Sequence, residues 1–394
     1  KTLGLMRDIA QARTYGVIAE DDETGITRIA RPMGVIGAVV PSTNPAATPA
    51  NNIINALKCG NAIVLSPSPK GVPACEVLLG YIHAEFDKLG LAHDLVQMIP
   101  PPGTKAKTQR MLEVADLVVV TGSQNNVKRA YSSGSPAIGV GAGNVTVIVD
   151  ETADLADAAA KIATSKTFDN STSCSSENSL IVVDAIYDEF VAELKKQHAA
   201  VLPQTMEDHV ISHLWQDGHL NSAAIAHDAD VLIKVLDLAD DVPSGTRFIA
   251  VETAGIGPAH PLSGEKLSLV LALYRASDFE DAKAIAGRML NHYGAGHSVG
   301  LHSTDPQRPV DMGRILPTCR VIVNQAHSGA TGGAFNNGMP FSLSMGCGSW
   351  GGNSIDDNLH WKHFMNTTKI VREIEPDEPA VDTVFEDYFR KAGR

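Results

Sequence analysis

The sequence predicts an α/β protein in which parallel sheets are covered by helices on both faces. Three observations carry that prediction. Short apolar runs without polar alternation recur, such as VIGAVV at 35–40, LVVV at 117–120 and VTVIV at 145–149. Such runs suit strands buried on both faces. Amphipathic stretches of helical period lie between them. At 394 residues the chain is also too long for one simple core, so two or three subdomains are expected.

The elements follow in order. Thr24–Arg31 alternates like a two-faced strand ahead of Pro32. Val35–Val40 is a buried strand, and Asn51–Lys58 a helix stopped by Gly60, the residue type that tolerates the left-handed turn past a helix end. Ala62–Leu65 is a strand, Val72–Leu89 a helix and Leu117–Val120 a strand. A helix opens near Ser123, Val145–Val149 is a strand, and Leu155–Thr167 is helical. The second half repeats the style. Leu180–Val183 precedes a helix with Ile186, Phe190 and Leu194 on one face. A helix at Phe279–Asn291 and strands at Ser298–Leu301 and Val321–Val323 follow. Lys369–Ile374 reads as an edge strand before the acidic EPDEP. Strands at both ends, outside the main alternation, suit pairing across a subunit interface.

Composition narrows the function classes. The 32 basic residues against 45 acidic ones give a net charge of −13, which argues against nucleic-acid and anionic-membrane partners. No apolar run approaches the roughly 18 residues of a membrane helix. Five cysteines (Cys59, Cys75, Cys174, Cys319, Cys347), odd in number and without a CxxC pair, suggest neither a disulfide framework nor a zinc site. No histidine spacing matches a metal motif. A reducing, cytoplasmic setting is expected. The chain opens on Lys1, as a fragment or processed form would.

Cys174 stands out. It lies in the polar run KTFDNSTSCSSEN just ahead of LIVV, where backbone N–H groups and hydroxyls could favour a thiolate. It is either a nucleophile or an idle thiol. Cys59 ends a helix, Cys75 begins one and Cys319 precedes a strand; Cys347, in MGCGSWGG, is the competitor. Asn44 in PSTNP follows the first strong strand and offers an amide donor to an oxyanion, or simply makes an Asn-Pro turn. LSPSPK at 65–70 and TGS at 121–123 close strands where a nucleotide would lie. GVGAGN at 139–144 precedes a strand, unlike a dinucleotide fingerprint, and reads as a close-approach loop. His297 in GAGHS is a proton shuttle or a loop histidine. Glu265 is a lone acid before an apolar strand.

In this order, PSTNP, LSPSPKG, TGSQNNVKRAYSSGSPAIGVGAGN, SKTFDNSTSCSSENSLIVV, GEKLSLVLALY, GAGHSV and GCGSWGGNS resemble the aldehyde dehydrogenase superfamily, and most closely its CoA-acylating branch, which includes acetaldehyde, sulfoacetaldehyde and succinic semialdehyde enzymes. The resemblance spans most of the chain and implies roles. Cys174 would attack the aldehyde, and Asn44 with the Cys174 N–H would hold the oxyanion. Ser42, Thr43, Ser66, Pro67, Ser68, Lys70, Thr121, Gly122, Ser123, Val140, Gly141, Ala142 and Gly143 would surround NAD or NADP. Glu265 would hold the nicotinamide ribose, and His297 would transfer a proton. Hydrolytic relatives carry a water-activating Glu where this chain has GVGAGN, so the acyl group is expected to pass to coenzyme A. A hydrolytic enzyme or a silent nucleotide-binding subunit is the alternative. LSPSPK lacks the acid that holds the adenine ribose in many relatives; with Lys70 nearby this is compatible with NADP, though relatives without the acid use NAD. Leu269 stands where many relatives have Pro.

The implied organisation is aldehyde dehydrogenase-like. A Rossmann-like cofactor domain covers 34–167 together with 1–12, and a catalytic domain covers 168–345. A small β oligomerisation element comprises 13–33 and 346–375, 376–394 forms a tail, and the protein is a homodimer or homotetramer. Low aromatic content (5%) and the polar segment 324–338, expected in the acyl pocket, point to a small aldehyde such as acetaldehyde or sulfoacetaldehyde. No basic cluster marks an anion pocket.

Overall fold

The computed structural model describes residues 1–393. Thr2–Ala10 (α1) leads into a hairpin of Gly16–Asp21 (β1) and Ile26–Pro32 (β2). Val35–Val40 (β3), Ala47–Lys58 (α2), Ala62–Pro67 (β4), Val72–Leu89 (α3), Val96–Met98 (β5), Lys105–Val114 (α4), Leu117–Thr121 (β6), Gln124–Tyr131 (α5) and Ala137–Val140 (β7) follow. Next come Val145–Val149 (β8), Leu155–Thr167 (α6), Glu177–Val183 (β9), Tyr187–Lys196 (α7), Ala199–Leu202 (β10) and Glu207–Leu214 (α8). A two-strand ribbon, Trp215–Gln216 (β11) and His219–Leu220 (β12), precedes Ala229–Val235 (α9), Phe248–Glu252 (β13), Val270–Ala276 (β14) and Phe279–His292 (α10). Val299–His302 (β15), Arg308–Ile315 (α11), Val321–Val323 (β16), His327–Ala330 (α12) and Met365–Val371 (β17) complete the body, with short helices at Val381–Val384 and Glu386–Ala392 behind it.

Two parallel sheets organise these elements. One has the strand order β5-β4-β3-β6-β7, the other β10-β13-β14-β9-β8-β15-β16. VIGAVV and LVVV pair directly, Ala38 opposite Val119. Each is covered on both faces, which is why neither strand alternates. In the second sheet Leu180, Ile181 and Val182 are buried under Phe190 and Leu194 of α7. Each such side chain contributes about 1.5–3 kcal/mol when fully buried.

The boundaries differ from expectation in three places. Strand β8 pairs with β9, Val147 opposite Leu180. The segment 145–167 therefore belongs to the seven-stranded sheet, and the break between sheets falls at 141–144, ahead of the expected 167. Residues 346–360 pack into the body, with Cys347 and Leu359 fully buried; only β17 joins β1 and β2 in the small antiparallel sheet. Helix α2 begins at Ala47, earlier than expected, because Asn44 Oδ1 accepts from the Ala47 and Thr48 N–H groups at its open end. The seven-stranded sheet also holds β10 and β13, short strands that were not expected.

The topology creates one meeting place. In the five-stranded sheet the chain fills one side of β3 and then crosses to β6, so the switch point lies at the carboxyl ends of β3 and β6. PSTN and TGS stand there. Across from them the second sheet presents its amino ends: GVGAGN precedes β8, the Cys174 loop precedes β9, Glu265 precedes β14 and His297 precedes β15. Among the described residues, no helix is long and apolar enough to cross a membrane.

Candidate active site

A cavity of about 1170 Å³ lies between these two edges. Its wall includes Ser42, Thr43, Asn44, Ser68, Thr121, Gly122, Ser123, Val140, Gly141, Ala142, Cys174 and Glu265. The structure thus gathers twelve of the residues singled out from sequence. A shallower hollow lined by Ile256, Arg288 and His292 shares none of this lining.

The Cys174 loop is built by its own polar side chains. Asp169, Asn170 and Ser171 take left-handed φ values of 51°, 48° and 60°. Each such non-glycine residue costs about 1–3 kcal/mol, so neighbours must hold it. Ser171 Oγ donates to the Lys166 carbonyl, Thr172 Oγ1 to the Asp169 carbonyl at 2.6 Å, and Asn170 Nδ2 to Asp228 Oδ1 at 2.8 Å. Buried charges anchor the ends of the loop. Lys166 Nζ donates to the Glu177 carbonyl (2.7 Å), and Ser165 Oγ to Glu177 Oε2 (2.7 Å). Lys266 Nζ donates to the carbonyls of Asn178 and Gly264, both at 2.9 Å. Burial pushes the Glu177 carboxyl up and both ammonium groups down, Lys266 furthest.

Gly143 lies beneath Cys174. A Cβ there would come 1.9 Å from the Cys174 carbonyl oxygen, so glycine lets the two backbones touch. GVGAGN is therefore a close-approach loop.

Behind the sulfur stands His297, fully buried. Its Nε2 is 3.3 Å from Cys174 Sγ, and its Nδ1 is 2.8 Å from Ser298 Oγ. Ser298 Oγ is in turn 2.9 Å from Nε2 of buried His327. Burial, with the charge of Arg320 added, pulls His297 down to about 3, so the imidazole is neutral. Cys174 is enclosed apart from its opening to the cavity. Burial pushes its thiol up to about 12, and Glu265 and Cys347 add to the rise; its own N–H and Arg320 act the other way. Among the described residues Arg320 forms no ion pair with a carboxylate. It donates to the carbonyls of His297 (2.9 Å) and Gly346 (2.8 Å) and to Asn358 Oδ1 (3.1 Å). Burial also pushes Glu265 up to about 8, opposed by Lys266, so its carboxyl is largely protonated at neutral pH.

Five expected residues lie outside the cavity wall. His297 and Gly143 stand behind and below Cys174. Ser66 Oγ is tied to Thr108 Oγ1 at 2.8 Å, away from the cleft, and Lys70 is exposed beside half-buried Pro67. Cys347, the rival thiol, is fully buried against Gly141 and Gly351 and is not in the wall of this cavity. Sequence reasoning missed Arg320, the Ser298–His327 pair and Lys1. Arg320 and His327 carry no local motif, and Lys1 reaches the cleft only through the fold.

The cavity offers polar groups to a dinucleotide. Ser68 Oγ is buried in its wall with no hydrogen-bond partner, a hydroxyl that a polar ligand would satisfy. At the start of α5 the Asn126 N–H is capped by Ser123, and the preceding N–H groups, on Gln124 and Asn125 in the wall, suit a phosphate. These residues fit the group.

Comparison with known proteins agrees with this geometry. Residues 2–215 match the model of the aldehyde dehydrogenase family. The chain is 52% identical over its whole length to an acylating sulfoacetaldehyde dehydrogenase of Cupriavidus necator, covering 80% of that protein. It superimposes on an acetylating aldehyde dehydrogenase from Geobacillus thermoglucosidasius with a TM-score of 0.90 at 33% identity, over 96% of this chain and 83% of that one. A propionaldehyde dehydrogenase from Rhodopseudomonas palustris, solved with bound CoA and an acylated cysteine, gives 0.81 at 27% identity, over 92% and 80%. The chain belongs to the aldehyde dehydrogenase family, in the CoA-acylating branch that oxidises aldehydes with NAD(P) and passes the acyl group to CoA.

Proposed function

We propose that the substrate is sulfoacetaldehyde and that Cys174, Asn44 and His297 carry the reaction to sulfoacetyl-CoA. One observation supports the reading above others: a sulfur 3.3 Å from a neutral histidine, in a cavity whose nearby carboxyl, Glu265, is held protonated. Water meets no strong base beside the sulfur, so a thioester there outlives hydrolysis and waits for a better nucleophile. The 52% identity to a sulfoacetaldehyde enzyme supports the choice of aldehyde.

The Cys174 thiolate, favoured by its own N–H and by Arg320, adds to the carbonyl carbon and forms a C–S bond. Asn44 Oδ1 is committed to α2, which leaves Nδ2 to donate to the new oxyanion beside the Cys174 N–H. When bound, an oxidised nicotinamide would supply the hydride acceptor; Ser68, Gly122 and Ser123 would hold the dinucleotide, and Glu265 its ribose. The thiolate of CoA then adds to the thioester, the bond to Cys174 breaks, and that sulfur leaves as an anion. His327 determines what His297 offers it. His327 Nδ1 is buried with no partner, and leaving it bare avoids an orphaned N–H. Its proton then sits on Nε2, the Ser298 hydroxyl donates to His297 Nδ1, and the His297 Nε2–H faces the sulfur. In this reading His297 stabilises the leaving thiolate and does not take a proton from the resting thiol.

The free cysteines support a reducing, cytoplasmic setting. The exposed edge of β17, with Ile370 and Val371 uncovered, supports assembly as a homodimer or homotetramer. Cofactor reduction with sulfoacetaldehyde, with and without CoA, tests the function. Sustained turnover is expected only with CoA; sustained turnover without it would establish hydrolysis.

A further inference from the structure

Among the described residues, two carboxyl side chains, Asp169 and the largely protonated Glu265, and one cation, Lys1, line the catalytic cavity. Lys1 is exposed overall, and its ammonium is held against the backbone of the cavity wall. Nζ donates to the carbonyls of Gly329 (2.6 Å) and Gly333 (2.5 Å). Both belong to the segment 324–338 that the sequence places in the acyl pocket. The Phe341 ring lies 5.8 Å away. Gly332 completes the seat: a Cβ there would come 2.4 Å from the Ser342 carbonyl and 3.3 Å from Nζ.

An ammonium has three donors, and two are used here. Among the described residues no carboxylate pairs with it, and burial draws it down to about 8. Arg7, on the same helix, is paired with Asp8 at 3.0 Å. A desolvated cation with one donor left, in the wall of a substrate cavity, calls for an anion from the ligand. We propose that Lys1 binds the sulfonate of the aldehyde and sets the preference for an anionic over an uncharged short aldehyde. This rests on the reading of sulfoacetaldehyde as substrate.

The test has two arms, both on the full chain. The first compares kcat/KM for sulfoacetaldehyde and acetaldehyde in wild type, Lys1→Met and Lys1→Arg. In Lys1→Met the ratio of the two should fall about tenfold or more, mainly through KM, as for loss of a charged hydrogen bond. Lys1→Arg should retain most of it. An unchanged ratio in Lys1→Met overturns the proposal. The second arm needs no turnover: 2-hydroxyethanesulfonate should slow alkylation of Cys174 by neutral iodoacetamide in wild type and lose that effect in Lys1→Met. If wild type does not prefer sulfoacetaldehyde but protection depends on Lys1, the substrate reading fails and the anion site stands. If wild type prefers it and protection survives in Lys1→Met, the substrate reading stands and Lys1 is excluded.

Discussion

The two edges that meet at the cavity are made differently. The carboxyl edge of the five-stranded sheet brings Ser42, Thr43, Thr121 and Ser123, and the buried polar residues of 34–140 are Thr, Asn and Ser, without a charge. The amino edge of the seven-stranded sheet has Lys166, Glu177, Lys266, His297, Arg320 and His327 buried along it. A cofactor needs neutral donors and a shaped groove. A nucleophile that becomes an anion twice per turnover needs fixed N–H groups and charges held in place before the reaction begins. Burying ionisable groups is costly, which explains why Lys166, Lys266 and Arg320 are tied to backbone carbonyls and Glu177 to a hydroxyl.

The comparison can be broken most severely at the sulfur. Cys174→Ala should lower turnover by about 10³-fold or more with an unchanged thermal melt, because its side chain opens to the cavity. Activity within tenfold of wild type would remove Cys174 from the chemistry. Asn44 joins the two edges and comes next. Asn44→Asp keeps the Oδ1 cap on α2 and loses the donor, so kcat should fall about 10²–10³-fold with stability retained. Asn44→Ala should lose similar activity and about 1 kcal/mol of stability as well. Equal stability of the two variants would show that the cap is idle.

A pH profile sharpens the account of the charged edge. Burial favours the neutral thiol and pushes Cys174 up to about 12. The thiolate fraction, and with it alkylation of the free protein by iodoacetamide, should rise about tenfold per pH unit from pH 7 to 10 without a plateau. A plateau below pH 9 would mean that the thiol is activated before any ligand arrives. The smallest effect belongs to the neutral edge. Lys70 is exposed and outside the cavity wall, so Lys70→Ala should raise KM for NADP by only about threefold. A far larger rise would place Lys70 against the 2′-phosphate.

Legibility in the sequence follows the same division. The carboxyl edge obeys a general rule, ligands beyond the carboxyl ends of parallel strands, so PSTN and TGS could be found from the strands alone. The amino edge obeys no such rule. Cys174 is visible as a thiol in a polar loop, but its choice over Cys347 rests on the family resemblance; Cys347 itself is fully buried. Glu265 and His297 stood as ambiguous single residues. Arg320, His327 and Lys1 left no mark, because their meaning comes from burial and from contacts across the chain: Lys1 touches Gly333, and Arg320 holds the His297 carbonyl. The break between sheets was misplaced for a related reason, since β8 resembles the strands before it and only its partner β9 assigns it to the second sheet.

The central claim is that Cys174 carries the acyl group and releases it to a thiol faster than to water. Intact-protein and peptide mass spectrometry, after incubation with sulfoacetaldehyde and oxidised cofactor but no CoA, tests it directly. The account predicts a sulfoacetyl adduct on the Cys174 peptide that persists in buffer and disappears within seconds of adding CoA. An adduct on another residue, or one discharged equally fast without CoA, would contradict it.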